Sequence, residues 1–214
     1  MVSKTIPILT IGYGARSLDA FVDLLHTYQI EYLVDVRSAP YSRFKPEFSK
    51  DALAQTMVAQ GVRYLYWGDV LGGRPDDATC YIDGKVDYAA IKTKEWYQQG
   101  IRRLETAFAQ GQRVALMCSE GKPEQCHRSK LLAASLVEQG VDVSHIDEAG
   151  ALKSQEDVIL ELTGGQLYLF DEIPFTSRKR YADTSDHRAG PGKNLRDIET
   201  GMNDYSEDEQ GDGE

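Results

Sequence analysis

Two cysteines, a histidine and a glutamate lie close together in the sequence, as Cys118, Glu120, Cys126 and His127. Cys118 stands where an apolar run gives way to a polar loop, and many enzymes hold a nucleophile at such a junction of strand, loop and helix. A helix N-terminus and nearby cations favour the thiolate form of a cysteine. We therefore expect Cys118 to be the nucleophile or redox thiol and His127 the acid/base, with Asp35 or Glu120 orienting the histidine.

The spacing of these residues argues against two other chemistries. The cysteine loop of a phosphatase needs an arginine where this chain has Glu124. The seven-residue gap between Cys118 and Cys126 is not a standard zinc spacing, and no fourth ligand is evident, so we predict no metal and no cofactor. Both cysteines could instead be small buried residues at a tight turn. With Cys80 the chain has three cysteines, which cannot form a disulfide framework.

Basic residues and glycines follow several of the predicted strands. In an open parallel sheet, ligands bind outside the carboxyl ends of the strands, so these side chains should share one rim. Glycines there let backbone N–H groups approach a ligand, and helix N-termini favour negative charge. The alternative is that the arginines are scattered over the surface and paired with carboxylates. The residues expected to bind an anion are Gly12, Arg16, Arg37, Arg43, Arg74 and Arg128.

Strand-like apolar runs alternate with helical periodicity along the chain. The predicted strands cover residues 6–11, 31–36, 62–66, 113–117 and 141–146. Ser17 and Ser49 can each cap a helix, and residues 96–108 and 125–138 have helical spacing. Strands separated by helices form parallel sheets with helices on both faces. The sequence thus predicts a three-layer, Rossmann-like α/β domain with a mostly parallel sheet of about five strands.

The composition limits the function classes. The chain has 214 residues, with 24 Lys and Arg against 34 Asp and Glu, and its formal net charge of −10 excludes a generally basic nucleic-acid-binding surface. No apolar run reaches the roughly 18 residues that span a bilayer, and the first residues lack a signal-peptide pattern. We expect a soluble, cytoplasmic protein with no membrane partner.

The end of the chain differs in composition from the rest. Residues 201–214 contain six acidic side chains and no basic one, and from residue 176 onward aliphatic residues are almost absent. Such a composition cannot bury enough surface to offset the entropy of ordering. The sequence therefore divides into an α/β domain over 1–165, a short segment over 166–175 and a disordered acidic tail over 176–214.

Several motifs, in order, resemble those of a known family. They are Thr10-Ile11-Gly12, Val34-Asp35-Val36-Arg37-Ser38 with Arg43, Leu71-Gly72-Gly73-Arg74, and Cys118-x-Glu120 with Cys126-His127-Arg128. From about residue 6 to residue 147 the chain resembles the bacterial and archaeal domain of unknown function number 488. The resemblance implies an intracellular α/β domain with the motifs gathered at one site, and no established reaction. Relatives often carry His-Ser where this chain has Tyr13-Gly14, so a role for a histidine there does not carry over.

Residues 166–170 resemble a second known pattern. Their order is similar to the Gln-Leu-x-Leu-Phe peptide by which bacterial DNA polymerases and repair proteins dock on the sliding clamp. In this mode the leucine and Phe anchors fill apolar pockets while the glutamine fixes the register. We expect Gln166, Leu167, Leu169 and Phe170 to bind a bacterial sliding clamp. The alternative is an edge strand whose apolar residues complete the core.

Together these features predict a DNA-metabolism protein with a phosphate- or nucleic-acid-recognising site that the sliding clamp recruits. Recruitment through a protein partner lessens the need for a broad basic surface, which fits the acidic chain. The expected partners are DNA or a nucleotide, and the clamp. Two alternatives stay open: a small-molecule enzyme acting on a nucleotide or other phosphorylated metabolite, and a non-catalytic interaction module.

Replacing Leu169 and Phe170 by Ala should abolish binding to a bacterial sliding clamp in calorimetry while thermal stability stays nearly unchanged. A peptide released from the domain supplies anchors to its partner and contributes little to its own core. Tyr168→Ala, at the tolerant position of the pattern, is the matched control and should bind as the wild type does. A large loss of stability, with no clamp binding by the wild type, would instead identify an ordinary terminal strand.

Overall fold

The structure is a computed structural model that describes residues 6–164 and 176–181, and a β-sheet forms its centre. Within these residues the strands are β1 (Ile8–Gly12), β2 (Tyr32–Asp35), β3 (Arg63–Tyr66), β4 (Tyr81–Ile82), β5 (Lys85–Val86), β6 (Val114–Cys118), β7 (Val143–Ile146) and β8 (Leu152–Ser154). The main sheet has the order β3-β2-β6-β1-β7-β8, and all its neighbours are parallel except β7 and β8. The strands β4 and β5 form a separate hairpin.

Helices connect the strands. They are α1 (Leu18–Thr27), α2 (Lys50–Ala59), α3 (Gly68–Leu71), α4 (Tyr88–Lys92), α5 (Glu95–Ala109), α6 (Ala134–Glu138) and α7 (Gln155–Leu162), with a π-helix over Arg128–Ala133. Short 3-10 turns cover Pro46–Phe48, Ala78–Cys80 and Pro123–Gln125. Ser17 caps α1 because its hydroxyl accepts a hydrogen bond from the Ala20 N–H at 3.2 Å. Ser49 precedes α2, but its hydroxyl accepts from the Ser42 N–H at 3.1 Å instead.

Alternate residues of the strands pack against helices on opposite faces of the sheet. Ile11 of β1 belongs to one core with Phe21 of α1 and Met57 of α2. Side chains alternate across a strand, so Thr10 points to the other face, where its hydroxyl meets Arg128 of the π-helix. The predicted α/β architecture, with helices flanking a mostly parallel sheet, is confirmed.

The five predicted strands all occur, as the parallel strands β1, β2, β3, β6 and β7. The sequence does not predict β8 or the hairpin, because strands of two or three residues show too little alternation to recognise. The sequence predicts one helix over 125–138, but this stretch contains the end of a 3-10 turn, then the π-helix and then α6. Apolar spacing alone does not distinguish this succession from one α-helix. No helix among the described residues is both long and apolar enough to cross a membrane.

Residues 176–181 lie against the hairpin. Thr176 forms a β-bridge with Asp87, and the Ser177 N–H donates to the Val86 carbonyl at 3.0 Å. The Ser177 side chain completes the contact by accepting from the Val86 N–H at 2.9 Å, and the residue is buried. The boundary of the predicted tail, at residue 176, is therefore too early by these six residues. The candidate clamp-binding residues 166–170 and the remainder of the predicted tail lie outside the described residues.

A buried ion pair closes the end of β2. Asp35 is fully buried, and the Arg37 guanidinium donates to its two carboxylate oxygens from Nε at 2.8 Å and from a terminal nitrogen at 2.6 Å. The Tyr64 hydroxyl also donates to Asp35 at 2.6 Å. Burial and the Asp35 charge raise the pKa of Tyr64, which keeps this hydroxyl protonated. Burial alone would lower the pKa of Arg37, but the hydrogen bonds and charge of Asp35 raise it.

Asp35→Asn should lower the free energy of unfolding by about 3 to 5 kcal/mol, because it leaves the buried Arg37 charge without its counterion. Urea denaturation followed by circular dichroism measures the loss. Glu95→Gln provides the matched control, because it breaks the exposed pair with Arg102 and should change stability far less. Equal effects of the two variants would contradict a structural role for the buried pair.

Candidate functional site

The carboxyl ends of β2 and β6 border a cavity of about 290 Å³. Cys118 ends β6, and Cys126 and His127 follow on the segment that leads into the π-helix. All three line the cavity, together with Arg37 from beyond the end of β2. Further lining residues are Ser38, Gly73, Arg74, Tyr88, Glu120 and Arg178. The parallel sheet therefore gathers several of the predicted site residues at one edge.

The His127 ring lies between a backbone carbonyl and the two sulfurs. Its Nε2 is 3.2 Å from the Val36 carbonyl oxygen, and a carbonyl accepts only from a protonated nitrogen. Nδ1 is therefore the nitrogen that faces the two sulfurs, at 3.8 Å from Cys118 Sγ and 3.7 Å from Cys126 Sγ. The orienting group is thus the Val36 carbonyl, whereas the sequence predicts Asp35 or Glu120.

A glycine allows the loop after α3 to approach this histidine. A Cβ atom at Gly73 would lie 2.7 Å from the His127 ring, closer than real Cβ contacts allow. The next residue, Arg74, donates its backbone N–H to the Ser38 hydroxyl at 2.9 Å. The Gly73-Arg74 pair therefore holds the loop on the cavity and presents the Arg74 side chain at its wall.

Arg128 is fully buried and joins three parts of the site. Its Nε donates to Cys126 Sγ at 3.3 Å, and its terminal nitrogens donate to the Thr10 hydroxyl at 3.2 Å and to the Glu120 carbonyl at 2.6 Å. A Cβ atom at Gly12 would lie 1.8 Å from that Glu120 carbonyl, so glycine alone permits this approach. Every guanidinium nitrogen of Arg128 thus donates a hydrogen bond to a protein atom. The sequence predicts instead that Arg128 binds an anion.

The two thiols differ in their ionisation. Burial opposes ionisation of Cys126, but the hydrogen bond from Cys118, the Arg128 charge and the neighbouring His127 outweigh it and hold the pKa of the Cys126 thiol well below its usual range. The hydrogen bond with Cys126, together with burial, raises the pKa of the Cys118 thiol well above its usual range. The geometry therefore favours Cys126 as the thiolate, where the sequence predicts Cys118.

The charge of Arg128 supports the same assignment. Among the described residues, no carboxylate lies within ion-pair distance of its guanidinium. A buried charge is costly without a counter-charge. The Cys126 sulfur, at 3.3 Å, supplies one when it is ionised.

Positive groups also line the cavity. One terminal nitrogen of Arg37 is buried and has no hydrogen-bond partner among the described residues. Arg74 lies over the Tyr181 ring, with its guanidinium carbon 4.5 Å from the ring centroid. Arg178 and Lys179 also line the cavity. Sequence reasoning misses these last two because they fall in the stretch predicted to be disordered, although the basic run 178–180 was a usable signal.

Other residues predicted to bind an anion lie outside the lining. The Arg16 guanidinium donates to the carbonyls of Gly12 and Asp147, and burial together with the Arg128 charge lowers its pKa. Arg43 is exposed, with its guanidinium carbon 4.7 Å from the Phe44 ring centroid. The predicted rim therefore divides into cavity residues and residues with other contacts.

The sulfurs and the imidazole could also be considered as metal ligands. The ligand atoms of Cys118, Cys126 and His127 lie within 4.8 Å of one another. The Arg128 guanidinium already neutralises the Cys126 sulfur, however, and would repel a second cation at this position. We therefore interpret these residues as a thiol site.

Comparison with protein families assigns the chain to a family. The family model described as Domain of unknown function DUF488 matches residues 17–135, which extend from the cap of α1 into α6. The chain belongs to the DUF488 family. The matched DUF488 segment supplies Arg37, Arg74, Cys118, Cys126 and His127 to the cavity. A comparison with curated proteins finds no match.

Alkylation of the DUF488 domain by iodoacetamide should modify Cys126 faster than Cys118 or Cys80 at neutral pH. The thiolate is the reactive form, and the Cys126 rate should reach half its maximum below the reference thiol pKa of about 8.5. Cys80 is the internal control, because it is buried outside the cavity lining and burial raises its pKa. Peptide mapping by mass spectrometry measures the three rates. Faster labelling of Cys118 would restore the sequence prediction.

Proposed function

We propose that this domain is a thiol-dependent enzyme that acts on a small anionic substrate, such as a nucleotide or another phosphorylated metabolite. One observation carries the proposal: the Cys126 sulfur lies 3.3 Å from the Arg128 guanidinium, and Cys126 lines one cavity together with Arg37, Arg74 and Arg178. Activated cysteines occur in electropositive, partly enclosed surroundings of this kind. Arginine side chains that line a cavity favour an anionic ligand, because a guanidinium forms strong hydrogen bonds with a carboxylate or a phosphate.

The cavity residues can take complementary roles. The Cys126 thiolate can form a bond to an electrophilic carbon of the substrate while the bond to the leaving group breaks. Cys118 retains its proton and can donate it to the leaving group. Water can then release the product from Cys126, and His127 Nδ1 can take up the proton of that water and return it to Cys118. Arg37, Arg74 and Arg178 would hold the charged part of the substrate.

The size of the cavity favours a small molecule over duplex DNA. Its volume of about 290 Å³ is at the lower end of the range for small-molecule sites. The enclosed thiols lie at its wall, with Cys118 and Cys126 both buried. Recruitment to DNA by the sliding clamp depends on residues 166–170 and stays a separate prediction.

Arg74→Glu should weaken the binding of a nucleoside monophosphate by about tenfold, because it replaces an attraction at the cavity wall with a repulsion. Fluorescence or calorimetric titration against a panel of nucleoside monophosphates measures the affinity. Arg43→Glu makes the same change of charge on an exposed arginine outside the lining and should leave the affinity nearly unchanged.

Cys126→Ser should retain binding of the same nucleotides and lose turnover of any of them that is a substrate. Equal weakening by Arg43→Glu and Arg74→Glu would place anion binding on the outer surface rather than in the cavity. Unchanged turnover in Cys126→Ser would exclude thiol catalysis.

A further inference from the structure

A chain of buried polar side chains leads from the interior of the domain to Arg128. Thr10 of β1 and His145 of β7 are both fully buried and lie side by side in the sheet register. The Thr10 hydroxyl is 2.8 Å from His145 Nδ1, and His145 Nε2 is 2.7 Å from Gln155 Oε1. None of these three side chains lines the cavity, so the catalytic roles proposed above do not use them.

The hydrogen bonds of this chain run in one direction. Gln155 Nε2 donates to the Ser129 carbonyl at 3.0 Å, which leaves Oε1 to accept from His145 Nε2. His145 Nδ1 must then accept the Thr10 hydroxyl proton, because one nitrogen of a neutral imidazole donates and the other accepts. The Thr10 oxygen in turn accepts from Arg128 at 3.2 Å. Each side chain in this series of hydrogen bonds is therefore fixed as donor or acceptor by its neighbour.

The environment keeps His145 neutral. Burial lowers the pKa of His145 to about 4, and the Arg128 charge acts in the same direction, whereas the Gln155 hydrogen bond opposes the shift. A protonated His145 would donate from both nitrogens and would lose the Thr10 hydroxyl as a donor. The chain therefore keeps its direction throughout the neutral pH range.

We propose that Thr10, His145 and Gln155 are positioning residues that hold Arg128 against the Cys126 sulfur. The inference rests on the proposed function, because it concerns the thiolate that would carry out the chemistry. Besides the sulfur, Arg128 contacts the Glu120 and Gly121 carbonyls on the loop side and the Thr10 hydroxyl on the sheet side. Loss of the Thr10 contact would free the guanidinium to turn away from the sulfur, although Arg128 itself remains.

Several other groups act on the Cys126 sulfur and must be kept unchanged in a test. They are Cys118 from β6, His127, Arg128 and Lys130 from its own segment, Tyr88 from α4 and His145 from β7. A useful variant therefore removes one hydroxyl from the chain and leaves all of these side chains in place. Thr10→Val does this, because valine has nearly the shape of threonine and lacks the oxygen that Arg128 contacts.

The pH profile of Cys126 alkylation in the full chain tests the proposal. Thr10→Val should raise the midpoint by about one pH unit, which is about a tenfold loss of thiolate on the acidic side of the profile. Thr10→Ser keeps the hydroxyl and should restore the wild-type midpoint. Tyr97→Phe is the matched control, because it removes another buried hydroxyl, which lies 2.9 Å from the Ser135 hydroxyl and 3.2 Å from the π-helix carbonyl of Leu131. It should lower stability without moving the midpoint.

Two results would overturn the inference, and they differ in what else they affect. In the first result, the wild-type midpoint lies below the ordinary thiol value, but Thr10→Val shifts it no more than Tyr97→Phe does. This result would refute the positioning role and leave the proposed function standing. A wild-type midpoint at the ordinary thiol value would refute both. If Thr10→Val does not fold, Gln155→Leu serves in its place, because it removes the acceptor for His145 at the far end of the chain and should shift the midpoint in the same direction.

Discussion

The buried charge of Arg128 is the constraint on which this site depends. A guanidinium removed from water must have its donors bonded and its charge balanced, or the domain loses stability. The backbone carbonyl of Glu120 and the hydroxyl of Thr10 take donors, and the Cys126 sulfur offers the balancing charge. The buried charge that the fold must balance is therefore the same charge that, in the proposed function, favours the thiolate form of Cys126.

The second buried arginine of the site is satisfied differently. Arg37 has a full carboxylate partner in Asp35, which also accepts the Tyr64 hydroxyl. The pair is neutral as a unit, so Arg37 can be buried although one of its nitrogens has no hydrogen-bond partner among the described residues. In the proposed function Arg128 activates the sulfur and Arg37 belongs to the substrate-binding wall, and the sequence motifs alone do not distinguish the two arginines.

The sequence predicts the location of the site because parallel strands end at one edge of their sheet. Arg37, Arg74, Cys118 and His127 accordingly meet in the cavity. It does not predict that Arg128 is buried, because arginine is normally exposed and its burial depends on contacts with β1. The assignment of the thiolate to Cys126 rather than Cys118 depends in the same way on their distances to Arg128. The spacing of residues along the sequence does not give these distances. The sequence does not predict Arg178 as a site residue, because the stretch from residue 176 onward has the composition of a disordered tail. In the structure its neighbour Ser177 is hydrogen-bonded to β5.

The strand order also affects how the polypeptide can fold as it leaves the ribosome. Although β1 is made first, its hydrogen-bonding partners are β6 and β7, both from the later half of the described chain. The strand β6 lies between β1 and β2, so residues Ile8–Gly12 have no place in a sheet until Val114–Cys118 have been synthesised. Contacts between such distant segments slow folding. The β1 segment therefore stays without its strand partners until the later strands have been synthesised.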